Sequence, residues 1–248
     1  MHDYLPTPQL LQNRVILITG AGEGIGRSAA LSCAEYGAEV ILLGRTQRKL
    51  EKVYDEIEQA GYPQAVIHPL DLEKAGATEY AQLTEALMQQ FGRLDGLLHN
   101  AALLGTLTPL GLYDVELWHK VMQVNLHAPF LLTRACLDLL RRATDASIVF
   151  TSDAVAREGR AYWGAYGVSK AATDGMMRIL AEECSAEGNL RVNSIDPGVV
   201  RTGLRARAYP AEDPTKLSTP DVVMNAYLYL LGPDSRNVNG RSVSAQDR

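Results

Sequence analysis

The sequence predicts an α/β protein: a single domain with a doubly wound parallel sheet and helices on both faces. Apolar segments of strand length alternate with segments of helical composition along most of the chain, which is the pattern of such sheets. A chain of 248 residues with 46% hydrophobic and 21% charged residues suits one large core. We expect residues 1–248 to form one domain, with an N-terminal arm over 1–12 and a lid or substrate loop over 203–220.

The predicted elements follow one another regularly. Apolar runs predict strands over 15–19, 38–43, 65–68, 94–99, 147–152 and 191–195, and helical patterns are found over 27–37, 47–60, 77–91, 114–142, 163–187 and 221–231. Prolines predict an irregular insertion over 198–219. Ligands of such sheets bind outside the carboxyl ends of the strands, so the residues that follow each strand are the candidate site.

Composition and charge argue against several classes of protein. The net charge of −5 disfavours nucleic acid or an anionic membrane as a partner, since both require a basic face. No apolar stretch reaches the ~20 residues of a membrane span, and the N-terminus lacks signal-peptide features, so we expect a cytoplasmic protein. Cys33, Cys136 and Cys184 are expected to be packed free thiols, and the histidine spacing predicts no metal site.

A glycine-rich turn follows the first predicted strand. Glycines at alternate positions from Gly20 to Gly26 let the backbone turn sharply and expose its N–H groups. The helix that follows favours an anion at its N-terminus. Residues 24–29 also fit the pattern G-x-G-x-x-G/A of Rossmann-like dinucleotide-binding folds. The turn therefore predicts a phosphate site, and the alternative is a glycine-rich turn that binds nothing.

A tyrosine and a lysine lie one helical turn apart after the fifth strand. Tyr166 and Lys170 share one face of the predicted helix over 163–187. A cation ~4 Å from the phenol at an effective dielectric of ~20 is worth ~4 kcal/mol, so Lys170 should lower the pKa of Tyr166 from ~10 toward neutrality. Such a phenol can exchange a proton with a carbinol or a carbonyl. The alternative is an exposed helical pair without a chemical role.

These motifs occur in an order that resembles the short-chain dehydrogenase/reductase family from about residue 13 to residue 203. The ordered set is Thr19-Gly-x-x-x-Gly-x-Gly26, Asp71, His99-Asn100-Ala101-Ala102, Asn125, Tyr166-x-x-x-Lys170, Pro197-Gly198 and Thr202. The wider run over 163–170 resembles the YciK-type oxidoreductases, a bacterial branch of the family. The resemblance implies a nicotinamide cofactor that passes a hydride, and a homodimer or homotetramer formed through the helices over 114–142 and 163–187.

The resemblance also implies roles for individual residues. Tyr166 would move the proton, Lys170 would hold the nicotinamide ribose and lower the tyrosine's pKa, and Asn125 would support a water in the proton relay. The expected cofactor-binding residues are Gly20, Gly24, Ile25, Gly26, Arg45, Asp71, Leu72, Asn100, Ala101, Tyr166, Lys170, Pro197, Gly198, Val200 and Thr202. The alternative for Asn125 is a polar residue that kinks a buried helix.

The end of the second strand indicates which nicotinamide cofactor is preferred. An acidic residue there would bind the 2′-hydroxyl of NAD and repel the 2′-phosphate of NADP. This chain has Gly44 followed by Arg45, and a planar guanidinium suits a phosphate. Glu23 in the glycine turn works weakly against this choice. We expect NADP(H) to be favoured over NAD(H); the alternative is that Arg45 is only a surface charge.

One position departs from the family pattern. The family usually has a serine thirteen residues before the tyrosine, and here that position holds Asp153, with Ser152 one place earlier. An ionised Asp153 would oppose Lys170 by a similar ~4 kcal/mol. Three outcomes are open: a protonated Asp153 donates to the oxyanion, Ser152 replaces the serine, or the site is weak or inactive. Side chains alternate along a strand, so the second outcome is the least expected.

Two functions of different class follow from these observations. The first is an NADP(H)-preferring oxidoreductase that interconverts a small-molecule carbonyl and an alcohol, with Asn125, Asp153, Tyr166 and Lys170 as catalytic residues. The second is a nicotinamide-nucleotide-binding protein with weak or no catalysis, acting as a sensor or assembly partner, which Asp153 favours. A structural protein that binds no nucleotide is opposed by the glycine turn and Arg45.

Overall fold

A parallel sheet of seven strands forms the centre of the computed structural model, which describes residues 4–246. The strands are β1 (Val15–Thr19), β2 (Glu39–Gly44), β3 (Val66–Pro69), β4 (Gly96–His99), β5 (Ala146–Thr151), β6 (Leu190–Asp196) and β7 (Ser242–Ser244). Their order is β3-β2-β1-β4-β5-β6-β7, and each neighbouring pair is parallel. The predicted single-domain, Rossmann-like fold is confirmed.

Helices cover both faces of the sheet. They are α1 (Gly24–Glu35), α2 (Gln47–Gln59), α3 (Ala77–Phe91), α4 (Val115–Met122), α5 (Ala128–Arg141), α6 (Val155–Glu158), α7 (Gly164–Glu183), α8 (Gly203–Ala208) and α9 (Met224–Leu231). One apolar layer joins α1, α2 and α9 to the sheet, and the other joins α3, α5 and α7 to it. Successive residues of β1 face opposite layers: Ile16 packs in the first and Leu17 in the second. Both faces are apolar because helices cover both.

The crevice for a ligand follows from the strand order. β1 pairs with β2 on one side and with β4 on the other. The chain runs outward from β1 to β3 and then returns to the far side of β1 as β4. The loops after β1 and β4 therefore lead away from each other and leave a crevice at the carboxyl ends of the strands.

Buried ion pairs hold the opposite end of the sheet. Asp145, just before β5, accepts a hydrogen bond from Arg14 at 2.9 Å and one from Arg191 at 3.3 Å. Arg191 also donates to the carbonyl oxygens of Leu230 and Gly232. Since Arg14 precedes β1 and Arg191 lies in β6, these contacts join β1, β5, β6 and the end of α9. A buried ion pair is favourable when such further hydrogen bonds satisfy its polar groups.

The structure differs from the predicted elements in its irregular parts. The helical stretch expected over 114–142 is interrupted by a π-helical turn over Gln123–His127. The insertion expected to be irregular over 198–219 contains α8, where the Thr202 hydroxyl accepts a hydrogen bond from the N–H of Arg205 at 3.1 Å, so the expectation of irregular structure is wrong over 203–208. The short elements α6 and β7 were not predicted, because four and three residues are too few to show a periodic pattern.

Other expectations concern the whole chain. The cysteines Cys33, Cys136 and Cys184 are free and buried, as predicted. Within residues 4–246, no helix is long and apolar enough to cross a membrane, and no group of three or more His, Cys, Asp or Glu side chains is placed to hold a metal ion. Of the predicted N-terminal arm, residues 1–3 lie outside the described residues, and Leu11 is fully buried in the core.

Candidate active site

The loops at the carboxyl ends of β1, β2, β3, β4, β5 and β6 line one cavity of about 290 Å³. The predicted cofactor residues in its walls are Gly20, Gly24, Ile25, Arg45, Asp71, Leu72, Asn100, Ala101, Pro197, Gly198, Val200 and Thr202, and the predicted catalytic residues are Asp153, Tyr166 and Lys170. Two predicted residues, Gly26 and Asn125, do not line it. The parallel sheet thus brings together residues that are far apart in the sequence.

The glycine turn after β1 fits the phosphate groups of a dinucleotide. Gly20 and Gly24 have φ angles of +68° and +55°, which glycine adopts at least cost. A Cβ atom on Gly20 would lie 3.0 Å from the Cα of Ala101. At the start of α1, the N-cap residue Glu23 forms no side-chain hydrogen bond to the helix. The first N–H groups of α1 therefore remain available to an anion in the cavity.

Gly26 acts on the packing of this turn, which differs from the binding contact expected. A Cβ atom there would lie inside van der Waals contact of the Gly20 carbonyl oxygen and 2.6 Å from Nδ2 of Asn100. Only glycine lets α1 approach the turn this closely. Gly26 thus shapes the glycine turn from outside the cavity.

Arg45 lies at the rim of the cavity, directly after β2. Its side chain is exposed, and it forms no hydrogen bond or ion pair with the described residues. Glu23, the residue expected to oppose a phosphate, forms an ion pair with Lys49 instead. The negative charge of Glu23 is thus compensated, and the guanidinium of Arg45 is free to bind an anion.

A phenol, a carboxylate and an ammonium group meet at the end of β5. Oη of Tyr166 donates a hydrogen bond to Oδ2 of Asp153 at 3.2 Å. Oδ1 of Asp153 accepts a second hydrogen bond, from the backbone N–H of Val155 at 3.0 Å. Nζ of Lys170 lies 5.6 Å from the centroid of the Tyr166 ring and donates to the carbonyl oxygen of Thr151 at 2.6 Å. All three groups line the cavity.

The ionisation of these groups differs from expectation. Burial, and next the charge of Asp153, raise the pKa of Tyr166 well above its ordinary value of 10. Burial also lowers the pKa of Lys170 from 10.5 to about 8, against the opposing effects of Asp153 and Asp174. The predicted lowering of the Tyr166 pKa is therefore wrong for this arrangement. The spacing of one helical turn does not predict this result, because it carries no information about how strongly burial disfavours the phenolate.

The geometry bears on the three outcomes considered for Asp153. The carboxyl group of Asp153 accepts a hydrogen bond from the phenol O–H, so it is an acceptor, and not a donor, beside Tyr166. The hydroxyl oxygen of Ser152 is fully buried and has no hydrogen-bond partner among residues 4–246. Asp153, and not Ser152, therefore stands beside the phenol, as the alternation of side chains predicts.

Asn125 lies behind the cavity, in the π-helical turn between α4 and α5. Its Oδ1 accepts from the N–H of Leu103 at 2.8 Å, and its Nδ2 donates to the carbonyl oxygen of Leu103 and to Oγ of Ser169, each at 3.0 Å. Its backbone carbonyl accepts from Oγ1 of Thr173 at 3.2 Å. Asn125 thus joins the segment after β4 to α7, the helix that carries Tyr166. The expected contact with a relay water is a separate role that stays a prediction.

Aromatic side chains line the cavity beside Tyr166, and sequence reasoning did not assign them to the site. The ring centroid of Trp163 lies 5.6 Å from that of Tyr166 and 5.9 Å from that of Tyr209. The Arg205 guanidinium lies 3.8 Å from the Tyr209 ring centroid and forms two 2.7 Å hydrogen bonds with Glu212. The available signal was the presence of two aromatic residues beside otherwise polar segments.

The fold and the arrangement of the cavity are those of an oxidoreductase with a Rossmann-like sheet, and comparison with known proteins identifies the family. The short chain dehydrogenase family matches residues 14–213, and the chain belongs to this family. It is 48% identical to the oxidoreductase YciK of Escherichia coli K12 over 99% of this chain and 96% of that protein. The predicted resemblance to the family and to its YciK-type branch is confirmed.

Two solved structures extend the comparison. A short-chain dehydrogenase from Pseudomonas syringae is 53% identical, with a TM-score of 0.97 over 98% of this chain and 99% of the other. A short-chain dehydrogenase from Escherichia coli CFT073, described as complexed with NADPH, is 50% identical, with a TM-score of 0.93 over 98% of this chain and 100% of the other. The backbone that forms the cavity is therefore common to these proteins.

Proposed function

We propose that this protein is an NADP(H)-preferring oxidoreductase that interconverts a carbonyl compound and an alcohol, with Tyr166 as the proton donor and acceptor. One observation carries the proposal: Tyr166 and Lys170 line the same cavity as the glycine turn. A similar dehydrogenase described as complexed with NADPH supports the choice of coenzyme. The exposed and unpaired Arg45 at the rim supports it independently.

The chain offers a contact for each part of the coenzyme. The glycine turn and the first N–H groups of α1 would hold the phosphates, and Arg45 the 2′-phosphate. By resemblance to the family, Asp71 and Leu72 would contact the adenine, Asn100 and Ala101 the adenine ribose, Val200 and Thr202 the carboxamide, and Lys170 the nicotinamide ribose. The bound coenzyme would supply or accept the hydride.

The residues of the chain would manage the proton. The raised pKa of Tyr166, caused by burial and by Asp153, keeps the phenol protonated near neutral pH. A protonated phenol is a donor, so the site is suited to the reduction of a carbonyl. The carbonyl oxygen of Thr151 fixes Lys170, and the ring of Trp163 lies beside that of Tyr166. Asn125 would support a relay water, as in the family, while it holds α7 in place.

A nucleotide-binding protein with weak catalysis is the second candidate. The observation that favours it is the hydrogen bond from Tyr166 to Asp153. A substrate needs the hydrogen bond of the phenol, but the phenol O–H already donates to Asp153. Tyr166 is therefore a poor proton donor until the substrate replaces Asp153 as its acceptor.

The test combines coenzyme binding with turnover. NADPH is titrated into the protein, and its oxidation is then followed with a panel of aldehydes, ketones and diones. Tyr166→Phe should bind NADPH but lose at least about 100-fold in kcat, because the general acid is removed. Tyr162→Phe is the matched control, since Tyr162 is 60% exposed and does not line the cavity.

Three results separate the candidates. Turnover that is lost in Tyr166→Phe and kept in Tyr162→Phe supports the oxidoreductase. Binding of NADPH without turnover at any pH, in both the unmodified protein and Asp153→Ser, supports the second candidate. Absence of NADPH binding at millimolar concentration refutes both.

We also propose that copies of the chain assemble as a homodimer or homotetramer through α4, α5 and α7. Phe130, Val168 and Ile179 on the outer faces of α5 and α7 are 44–63% exposed, which is a high exposure for large apolar side chains. Light scattering after size exclusion should show two or four chains, and a monomer would refute the assembly. The lid role of 203–220 and the cytoplasmic location stay predictions.

A further inference from the structure

The acceptor character of Asp153 restricts the substrate. Oδ1 accepts a hydrogen bond from the N–H of Val155, and Oδ2 accepts one from the O–H of Tyr166, which has a single proton to donate. A substrate carbonyl oxygen is also only an acceptor, so it cannot bond to the carboxylate and must compete with Oδ2 for the phenol proton. A simple ketone in this site gains one hydrogen bond and breaks a charge-assisted one.

A hydroxyl group on the carbon next to the carbonyl removes this conflict. It can donate to Oδ2 of Asp153 in place of the phenol, and the Tyr166 proton is then free for the carbonyl oxygen. The oxygens of a 2-hydroxy carbonyl compound lie about one hydrogen-bond length apart, which matches the 3.2 Å between Oη of Tyr166 and Oδ2 of Asp153. Such a substrate therefore forms two parallel hydrogen bonds at once.

Resting on the function proposed above, we propose that the substrates are 2-hydroxy ketones or 2-hydroxy aldehydes, reduced to vicinal diols, and that Asp153 is the residue that selects them. The carbonyl carbon takes up a hydride from the reduced nicotinamide nucleotide, which is oxidised. The carbonyl oxygen takes up the proton of Tyr166, and the phenol regains a proton from solvent. The hydroxyl bonded to Asp153 is unchanged in the reaction.

The charges around Asp153 favour a neutral donor over an ammonium group. The carboxylate faces the ammonium of Lys170 from one side, and Arg205 and Arg207 line the same cavity. The pKa of Arg205 is raised chiefly by its hydrogen bond to Glu212 and to a smaller extent by the charge of Asp153. A further cation would meet these positive groups, whereas a hydroxyl satisfies Oδ2 without adding charge.

The walls of the cavity indicate what the rest of the substrate resembles. Trp163, Leu204 and Tyr209 form an apolar surface close to Tyr166, together with Ala102. This surface suits an aliphatic or aromatic substituent on the hydroxy carbonyl unit. We therefore expect a compound with one apolar end and the hydroxy carbonyl group at the other.

The test uses three matched compounds with an aromatic substituent: a 2-hydroxy ketone, the ketone without the hydroxyl, and the 2-methoxy ketone. The methyl ether keeps the polarity but cannot donate. With NADPH and unmodified protein, kcat/KM for the hydroxy ketone should exceed the other two by about 10- to 100-fold, the value of one hydrogen bond to a charged group. In Asp153→Ser, this preference should fall below about 3-fold, because the serine hydroxyl can donate a hydrogen bond to the carbonyl oxygen of each of these ketones.

A binding measurement accompanies the kinetics. The chain has two tryptophans, and Trp118 does not line the cavity, so Trp118→Phe leaves Trp163 as the only tryptophan, whose emission is followed with selective excitation. Titration of this protein, without coenzyme, should give a Kd for the vicinal diol about 10-fold lower than for its methyl ether. Asp153→Asn serves as a second variant, and NADPH binding within about 2-fold of the unmodified protein shows that each variant is folded.

Each remaining result overturns a defined part of the proposal. Equal kcat/KM for all three ketones overturns the substrate class and leaves the oxidoreductase in place. A preference that persists in both Asp153 variants overturns the role of Asp153. The matching 2-amino ketone is assayed as a fourth compound, and a kcat/KM above that of the hydroxy ketone overturns the preference for a neutral donor. Bound NADPH without turnover of any compound, in the unmodified protein and in Asp153→Ser, overturns the proposed function itself.

Discussion

Replacing Arg45 by aspartate tests the basis of coenzyme choice directly. Arg45 is exposed at the cavity rim, directly after β2, and Lys49 already compensates the neighbouring Glu23. Arg45→Asp removes the cation that would bind the 2′-phosphate and puts a carboxylate in its place. We expect NADPH to bind much more weakly and NADH to bind as well as before or more tightly, since a carboxylate accepts hydrogen bonds from the ribose hydroxyls.

The magnitude follows from the exposure of the side chain. A hydrogen bond to a charged group is worth about 1.5–3 kcal/mol, and the exposed position argues for the lower end of that range. Repulsion between the new carboxylate and the phosphate adds about 1 kcal/mol at 4 Å in water. The sum is about 2.5 kcal/mol, so the Kd of NADPH should rise about 60-fold. High salt should reduce the difference, because exposed charges are screened.

The measurement is a titration of each coenzyme into each protein at two salt concentrations. Arg48→Asp is the matched control: it makes the same change of charge three positions further on, at an exposed residue that does not line the cavity. In this control, the ratio of the Kd of NADH to that of NADPH should stay within about 2-fold of the ratio in the unmodified protein. The reasoning is refuted if the unmodified protein binds both coenzymes equally, or if Arg45→Asp keeps the preference for NADPH.

Two further predictions concern the glycine turn and the buried lysine. Gly26→Ala should abolish NADPH binding and lower Tm by several degrees, because the new Cβ meets the Gly20 carbonyl oxygen; unchanged binding by titration contradicts this. Burial lowers the pKa of Lys170 to about 8, so the folded chain loses this proton at lower pH than the unfolded chain, and stability rises with pH from about 8 toward 10.5. The free energy of unfolding of the unmodified protein relative to Lys170→Met should increase by about 2 kcal/mol between pH 7.5 and pH 9.5, measured by urea denaturation, and a constant difference would contradict it.

The sequence predicts the framework of this protein well, because the framework depends on patterns that are local. β1 is an apolar run followed by glycines, and the helices before β2, β3 and β4 are followed by Gly37, Gly61 and Gly92. Since the carboxyl ends of parallel strands meet at one edge, Arg45, Asp71, Asn100 and Asp153 could be assigned to one site before any coordinates were known. The cavity contains all four.

The remainder depends on contacts between distant segments. The pKa of Tyr166 is governed by burial and by Asp153, and the helical spacing of Lys170 carries no information about either. The π-helical turn exists where Asn125 reaches both the segment after β4 and α7, which only the tertiary structure defines. α8 has six residues, which are too few to show a periodic apolar pattern in the sequence.

The ion pairs of Asp145 lie at one end of the sheet and the cavity lies at the other, so we expect the two ends to tolerate substitutions differently. Asp145 forms ion pairs with Arg14 and Arg191, and these ion pairs connect neighbouring parts of the sheet at the end away from the cavity. These contacts stabilise the alignment of β1, β5 and β6 at the end of the sheet away from the cavity. We therefore expect the loops around the cavity, including 203–220, to tolerate replacement by those of relatives while the strands keep their alignment.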